Sequence, residues 1–71
     1  MTDDRLMRLV AARIQQLRKA KKLTQEYMQD HGFSYRYYQR IEAAQQNLTL
    51  KTLNRLAKTF GVAVHELLQF D

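Results

Sequence analysis

Among its 71 residues the chain has no cysteine and no proline, and only two glycines. Without a thiol there is no disulfide, no thiolate nucleophile and no thiolate-bound metal, which excludes zinc fingers and leaves core packing as the source of stability. So few helix breakers point to an almost wholly helical chain. Long hydrophobic runs are missing too, since nothing approaches the roughly 20 apolar residues that a bilayer crossing needs. The opening Met1-Thr2-Asp3-Asp4 is acidic, and no apolar stretch with a small-residue cleavage site follows. A secretory leader is therefore not expected, and a cytoplasmic location is.

What is present fits one small domain. The length is about half that of an average domain, so residues 1–71 read as a single unit, alone or as an oligomer's subunit, and a two-domain enzyme is excluded. Hydrophobic residues at 45% and charged ones at 27% make a globular composition. Twelve Lys and Arg against seven Asp and Glu leave a formal charge of +5, with an isoelectric point near 9.9. Such an excess favours an acidic polymer as partner, nucleic acid first and an anionic membrane surface second.

Turning about 100° per residue puts Leu6, Met7, Val10, Ile14 and Leu17 on one side of a first helix from Asp4 to Lys21, with Arg8, Gln15, Lys19 and Lys22 opposite. Thr2 or Asp3 is its expected cap, and Arg18, Lys19, Lys21 and Lys22 complement the dipole at its end. Thr24 caps a second helix, Gln25 to His31, which Gly32 closes in the left-handed conformation. Ser34 caps a third, running to about Ala44, with Phe33 as the apolar residue before the cap. After the polar connector Gln45 to Asn47, a fourth helix starts near Thr49 and buries Leu50, Leu53, Leu56, Ala57 and Phe60 before Gly61 ends it. A fifth, Ala63 to Gln69, contributes Val64, Leu67 and Leu68. The expected fold class is all-α, a compact five-helix domain around one core.

Two short helices joined through Gly32-Phe33-Ser34 have the layout of a helix-turn-helix. Many helical hairpins share that layout and bind nothing, so surface chemistry has to decide. On the third helix Tyr37, Tyr38 and Ile41 bracket the inward side, and Arg36, Gln39, Arg40 and Ala43 turn outward with Tyr35 on the flank. That outward face has no acidic member. Arginine pairs bidentately with guanine and glutamine with adenine, so Arg36, Gln39 and Arg40 are candidate base readers in the major groove of double-stranded DNA. Tyr35 is a candidate base contact at the helix start, and Tyr37 a rim residue whose hydroxyl reaches phosphate. Aromatic and arginine clusters also serve single strands by stacking, but here the spacing turns rings toward the core.

Lys51, Arg55 and Lys58 recur at i, i+4 and i+7 as a basic ridge on the fourth helix. Arg55 and Lys58 read as solvated surface. Lys51, close to the helix start beside Asn47 and Thr49, is better placed to hold the DNA backbone with the helix-terminal N–H groups. Gln25, at the start of the second helix, is a matching backbone anchor.

From Ile14 to Leu68 the order of residues resembles the Cro/C1-type (lambda-repressor-like, XRE) helix-turn-helix family of bacterial and phage transcriptional regulators. The carrying segments are Ile14-Gln15-Gln16-Leu17-Arg18, Leu23-Thr24-Gln25-Glu26, Gly32-Phe33-Ser34, Arg40-Ile41-Glu42, Thr49-Leu50-Lys51-Thr52-Leu53, Leu56-Ala57, Phe60-Gly61-Val62 and Glu66-Leu67. The resemblance implies sequence-specific binding of duplex DNA through the third helix, a homodimer, and an internal ion pair between Arg18 and Glu42. Several positions depart from the pattern. The stretch Gln25 to Gly32 is one residue short, Met28 or Gln29 replaces a small alanine, and Leu48 replaces a frequent proline. Ala44 replaces the customary glycine, so the third helix is expected to run on, and Ala63 replaces a serine cap, so the last helix is expected to be poorly capped.

Other functions fit less well. His31 and His65 lie far apart with no metal-ligand spacing, and Ser34 is spoken for as a cap, so no catalytic residue, metal, cofactor or small-molecule substrate is expected and the chain does not read as an enzyme. A membrane-surface peptide needs its basic and apolar faces on one long helix, and here they are divided among five. The alternative is a protein-interaction module, such as an antitoxin or adaptor, using Leu67, Leu68 and Phe70. The preferred reading is a DNA-binding transcriptional repressor.

Overall fold

Beyond the start of the first helix, the helices begin and end where local chemistry supplies a partner for their unpaired backbone groups. A computed structural model describes residues 3–70, with side chains from Asp4 onward; Thr2 and the side chain of Asp3, the expected first caps, lie outside the described residues. Three α-helices form, α1 (Asp3–Ala20), α2 (Tyr35–Glu42) and α3 (Leu50–Phe60). Two 3-10 helices, Glu26–His31 after α1 and Val64–Leu68 after α3, complete the order, and no strand occurs among the described residues. The all-α class stands, but two of the five expected helices are wound as 3-10. For the first this fits the missing residue. A 3-10 helix rises about 2.0 Å per residue against about 1.5 Å in an α-helix, so a shortened segment spans a comparable length.

The side-chain caps sit where expected. Ser34 Oγ accepts from the Tyr37 N–H at 3.1 Å, Thr49 Oγ1 accepts from Thr52 at 3.1 Å, and Thr24 Oγ1 accepts from Tyr27 at 3.2 Å. Ala63 has no oxygen to offer. Instead the Glu66 carboxylate accepts from the Ala63 N–H at 2.8 Å, which supplies half of a capping box.

The end of α2 corrects an expectation. It stops at Glu42 instead of running on to Ala44 or beyond. Gln45 N–H donates to the Arg40 carbonyl at 2.9 Å and Ala44 N–H to that of Ile41 at 3.2 Å, the bond pair of a Schellman turn. Ala44 adopts φ 59° to make it, a conformation that costs a residue with a Cβ about 1 kcal/mol.

The core joins Val10, Ile14 and Leu17 of α1 to Met28, Phe33, Tyr38 and Ile41, and to Leu53, Leu56, Ala57, Phe60 and Leu67. Met28, which stands where a small alanine is usual, is fully buried. Of the residues expected in the core, Met7 and Val64 are only half-buried, and three more are exposed. Leu50 is 79% exposed, Leu68 45% and Leu6 43%. Each lies at or near the end of its element, past the reach of the helices that cover the middle, and Leu6 and Leu68 rim a shallow groove with Met7, Leu48 and Leu53. Arg13 ties the last helix down, its Nε donating to the Glu66 carbonyl at 2.7 Å.

Candidate nucleic-acid interface

α2 has an inward face packed into the core and an outward face on which the polar side chains have no partner among the described residues. Inside, Phe33, Tyr38 and Ile41 are buried, and the rings of Phe33 and Tyr38 meet edge to face with centroids 6.1 Å apart. At the C-terminal end of the same face, Arg18 of α1 grips Glu42 through two bonds, Nε to Oε2 at 2.6 Å and Nη2 to Oε1 at 3.2 Å. Its third nitrogen, Nη1, donates to the Leu23 carbonyl at 2.7 Å. The Gln25 amide adds a bond to Glu42 Oε1 at 3.0 Å. This pair is sealed, with the Arg18 and Glu42 side chains only 10% and 5% exposed.

Burial works against a charged carboxyl, yet the hydrogen bond from Arg18, with Tyr38 and Gln25 behind it, holds Glu42 below the ordinary carboxylate range. Glu42 in turn raises Arg18. Burial, and next the adjacent carboxylate, push the Tyr38 phenol far above its usual value. Its hydroxyl is enclosed beside the pair without a well-formed hydrogen bond.

On the outward side Arg36, Gln39 and Arg40 are all exposed. Among the described residues none of these three side chains makes a hydrogen bond or an ion pair. Tyr35 and Tyr37 are half-buried on the two flanks. The structure therefore brings Tyr35, Arg36, Gln39 and Arg40 together on successive turns of one short helix.

The residues assigned to the DNA backbone lie in three places, Tyr37 half-buried on the flank of α2 being the first. Asn47, Thr49 and Lys51 gather at the start of α3 and are exposed, with the Thr49 hydroxyl occupied as a cap that also donates to Thr52 Oγ1 at 3.1 Å. Gln25 is half-buried and one of its amide hydrogens is given to Glu42.

Two further contacts lie beside this site. Arg55, read as solvated surface, instead donates through Nη2 to the Gly32 carbonyl and lies over the Phe33 ring at 4.5 Å from its centroid. His31 stacks on Tyr27 with centroids 4.0 Å apart, its Nδ1 2.9 Å from the Tyr27 carbonyl. The i, i+4 spacing of Tyr27 and His31 is the sequence signal that would have found the second contact; a backbone carbonyl gives no such signal for the first.

Among the described residues no helix is long and apolar enough to cross a membrane, and no three His, Asp or Glu side chains form a group that could hold a metal ion. Comparison with curated proteins and with solved structures gives no match. Residues 14–67, well over half the chain, match the family model described as helix-turn-helix. That span begins on α1 and ends on the last 3-10 helix, and so takes in the turn, α2 and the sealed pair beneath it: the chain belongs to the Cro/C1-type helix-turn-helix family of DNA-binding transcriptional regulators.

Proposed function

We propose that this protein is a repressor that binds double-stranded DNA as a homodimer, each copy setting α2 into a major groove, with half-site centres about 34 Å apart. The observation that supports this above the others is the outward face of α2, where two guanidinium groups and an amide stand exposed with no partner of their own. Donors left free on a helix whose backbone is fixed by an ion pair sealed behind it are available to a ligand rich in acceptors. Arg36 and Arg40 read bases, Tyr35 and Gln39 add secondary base contacts, and Gln25, Tyr37, Asn47, Thr49 and Lys51 hold the backbone. Gln25 does so with its second amide hydrogen. Occlusion of polymerase is the simplest way such a complex represses.

The test is selection of bound fragments from random duplex DNA. The expected product is an inverted repeat with half-sites one helical turn apart, bound less tightly as salt rises. On that operator Arg36→Ala or Arg40→Ala should cost about 1 to 3 kcal/mol and relax preference at one base pair, whereas Lys51→Ala should weaken all sequences alike. Equal losses on operator and random DNA from all three would show the readout roles to be misassigned. No enrichment, with binding indifferent to salt, would favour the adaptor reading, although of the Leu67, Leu68 and Phe70 cluster expected to serve it only Leu68 is exposed, Leu67 being fully buried and Phe70 packed against the core.

A further inference from the structure

α2 is fastened at both ends from elsewhere in the chain, and Arg18 accounts for its C-terminal end alone. At its start the fastening comes from α3. Arg55 donates to the carbonyl of Gly32, and its guanidinium lies over the ring of the next residue, Phe33, 4.5 Å from the centroid. Phe33 is 2% exposed and meets Tyr38, on the inward face of α2, with an interplanar angle of 69°. One side chain thus holds two consecutive residues of the turn, and the second of these bears on the helix that follows. Gly32 makes this approach possible, because a Cβ there would meet Arg55 Nη2 at 2.9 Å. The planar guanidinium serves the carbonyl and the ring at once, which a lysine ammonium does not reproduce.

We propose that Arg55 is a positioning residue for DNA readout: it fixes the turn from which α2 departs, and so the aim of Arg36 and Arg40, without touching DNA itself. This rests on the DNA-reading role of α2 proposed above. Two simpler roles compete with it. An exposed cation on the same helix as Lys51 and Lys58 could hold a phosphate, and a residue that bridges two elements could merely support the fold. The three roles differ in what Arg55→Lys does.

Binding to operator and to random duplex is measured over a salt series for the full chain, for Arg55→Lys and for Arg55→Ala, together with amide hydrogen exchange at Phe33, Tyr37 and Tyr38. These amides donate to Met28 O, Ser34 Oγ and Ser34 O, so they report on the turn and the first turn of α2. Both variants should bind random duplex with the strength and salt slope of the unaltered chain. Both should lose about tenfold of the operator preference and exchange the three amides faster, with the middle of α1 unchanged.

A preference kept by Arg55→Lys, with Arg55→Ala weakened on all DNA and its salt slope smaller by about 0.9, would make Arg55 a phosphate contact and overturn the proposal. A lowered melting temperature with the operator preference intact would reduce Arg55 to support of the fold and overturn it too. Exchange needs no DNA. If the three amides are unaffected in both variants, the clamp is absent whatever DNA binding does. If they exchange faster while the unaltered chain prefers no sequence, the clamp stands and the readout assigned to α2 is what has failed, taking with it any part for Arg55 in DNA binding.

Discussion

The turn that leads into α2 and the turn that leads out of it use nearly the same backbone hydrogen bonds but are secured in opposite ways. Before the helix, Phe33 N–H donates to the Met28 carbonyl at 3.1 Å across Gly32; after it, Gln45 N–H donates to that of Arg40 at 2.9 Å across Ala44. The left-handed residue is glycine in the first, at φ 91°, and alanine in the second, at φ 59°. Glycine enters that region without strain, so the first turn is satisfied locally and Arg55 adds to it from outside. Alanine does not, and two residues earlier Glu42 is locked to Arg18 and Gln25, an anchor able to offset the strain. A tertiary anchor can thus replace a conformational preference. Strain of about 1 kcal/mol is tolerable beside a buried pair whose disruption costs about 3 to 5 kcal/mol.

The hardest test of this contrast is to remove the anchor. Glu42→Ala leaves a buried guanidinium without its carboxylate, and the expected loss of about 3 to 5 kcal/mol should lower Tm by roughly 15 °C or more in a domain of this size. Glu42→Gln, which keeps the shape, should lose less but in the same direction. Urea unfolding of both variants measures it, and a loss under about 1 kcal/mol for Glu42→Ala would mean that the second turn holds itself. Acid should make the same cut without mutation. Because the folded chain holds the Glu42 carboxyl below its ordinary value, the pair's contribution is complete above that value, near pH 4.3, and is lost as the pH falls through the lower folded one. Stability of the unaltered chain should therefore drop more steeply below about pH 4 than that of Glu42→Gln. Parallel curves would remove the pair from the account.

The contrast also separates what the sequence discloses from what it hides. Glycines at 32 and 61, the hydroxyl caps Ser34 and Thr49, and the sidedness of α2 are local facts, written in residue types and in a period of about 3.6 residues, and all are legible. The Arg18 and Glu42 pair is legible only through resemblance, because nothing local joins residues so far apart. Periodicity gives a side chain's direction but not where the covering helix ends, which is why the pattern points Leu50 and Leu68 inward while the structure leaves them exposed. Over six residues the pattern also does not distinguish a 3-10 winding from an α-helical one. Ala44 misleads for a different reason, since its own preference is overruled from a distance. The contacts of Arg36 and Arg40 with bases depend on a ligand, and their exposure is what the chain alone contributes.

A weaker perturbation is aimed at the first turn. Gly32→Ala forces a Cβ into the left-handed region and against Arg55 Nη2 at 2.9 Å, so the guanidinium must move and its bond to the Gly32 carbonyl is put at risk. The expected loss is about 1 to 3 kcal/mol, less than for Glu42→Ala because Arg55 is exposed and can swing aside. In an Arg55→Ala background the same substitution should cost only its backbone strain. A double-mutant cycle measures the difference, and strict additivity would mean that Gly32 and Arg55 are independent.

The smallest expected effect has the opposite sign. Ala44→Gly removes the strain at φ 59° but enlarges the conformational freedom of the unfolded chain, and the two nearly offset one another. The strain term is the larger, so a net gain of about 0.5 kcal/mol is expected, visible as a rise in Tm of roughly 2 to 4 °C. In a Glu42→Gln background, where the anchor is weakened, a turn that must hold itself should benefit more from glycine. A gain that grows on losing the pair would tie the strain at Ala44 to the anchor at Glu42. An equal gain in both backgrounds would mean that the helix ends at Glu42 for reasons confined to the turn, and that the buried pair serves only to join α1 to α2.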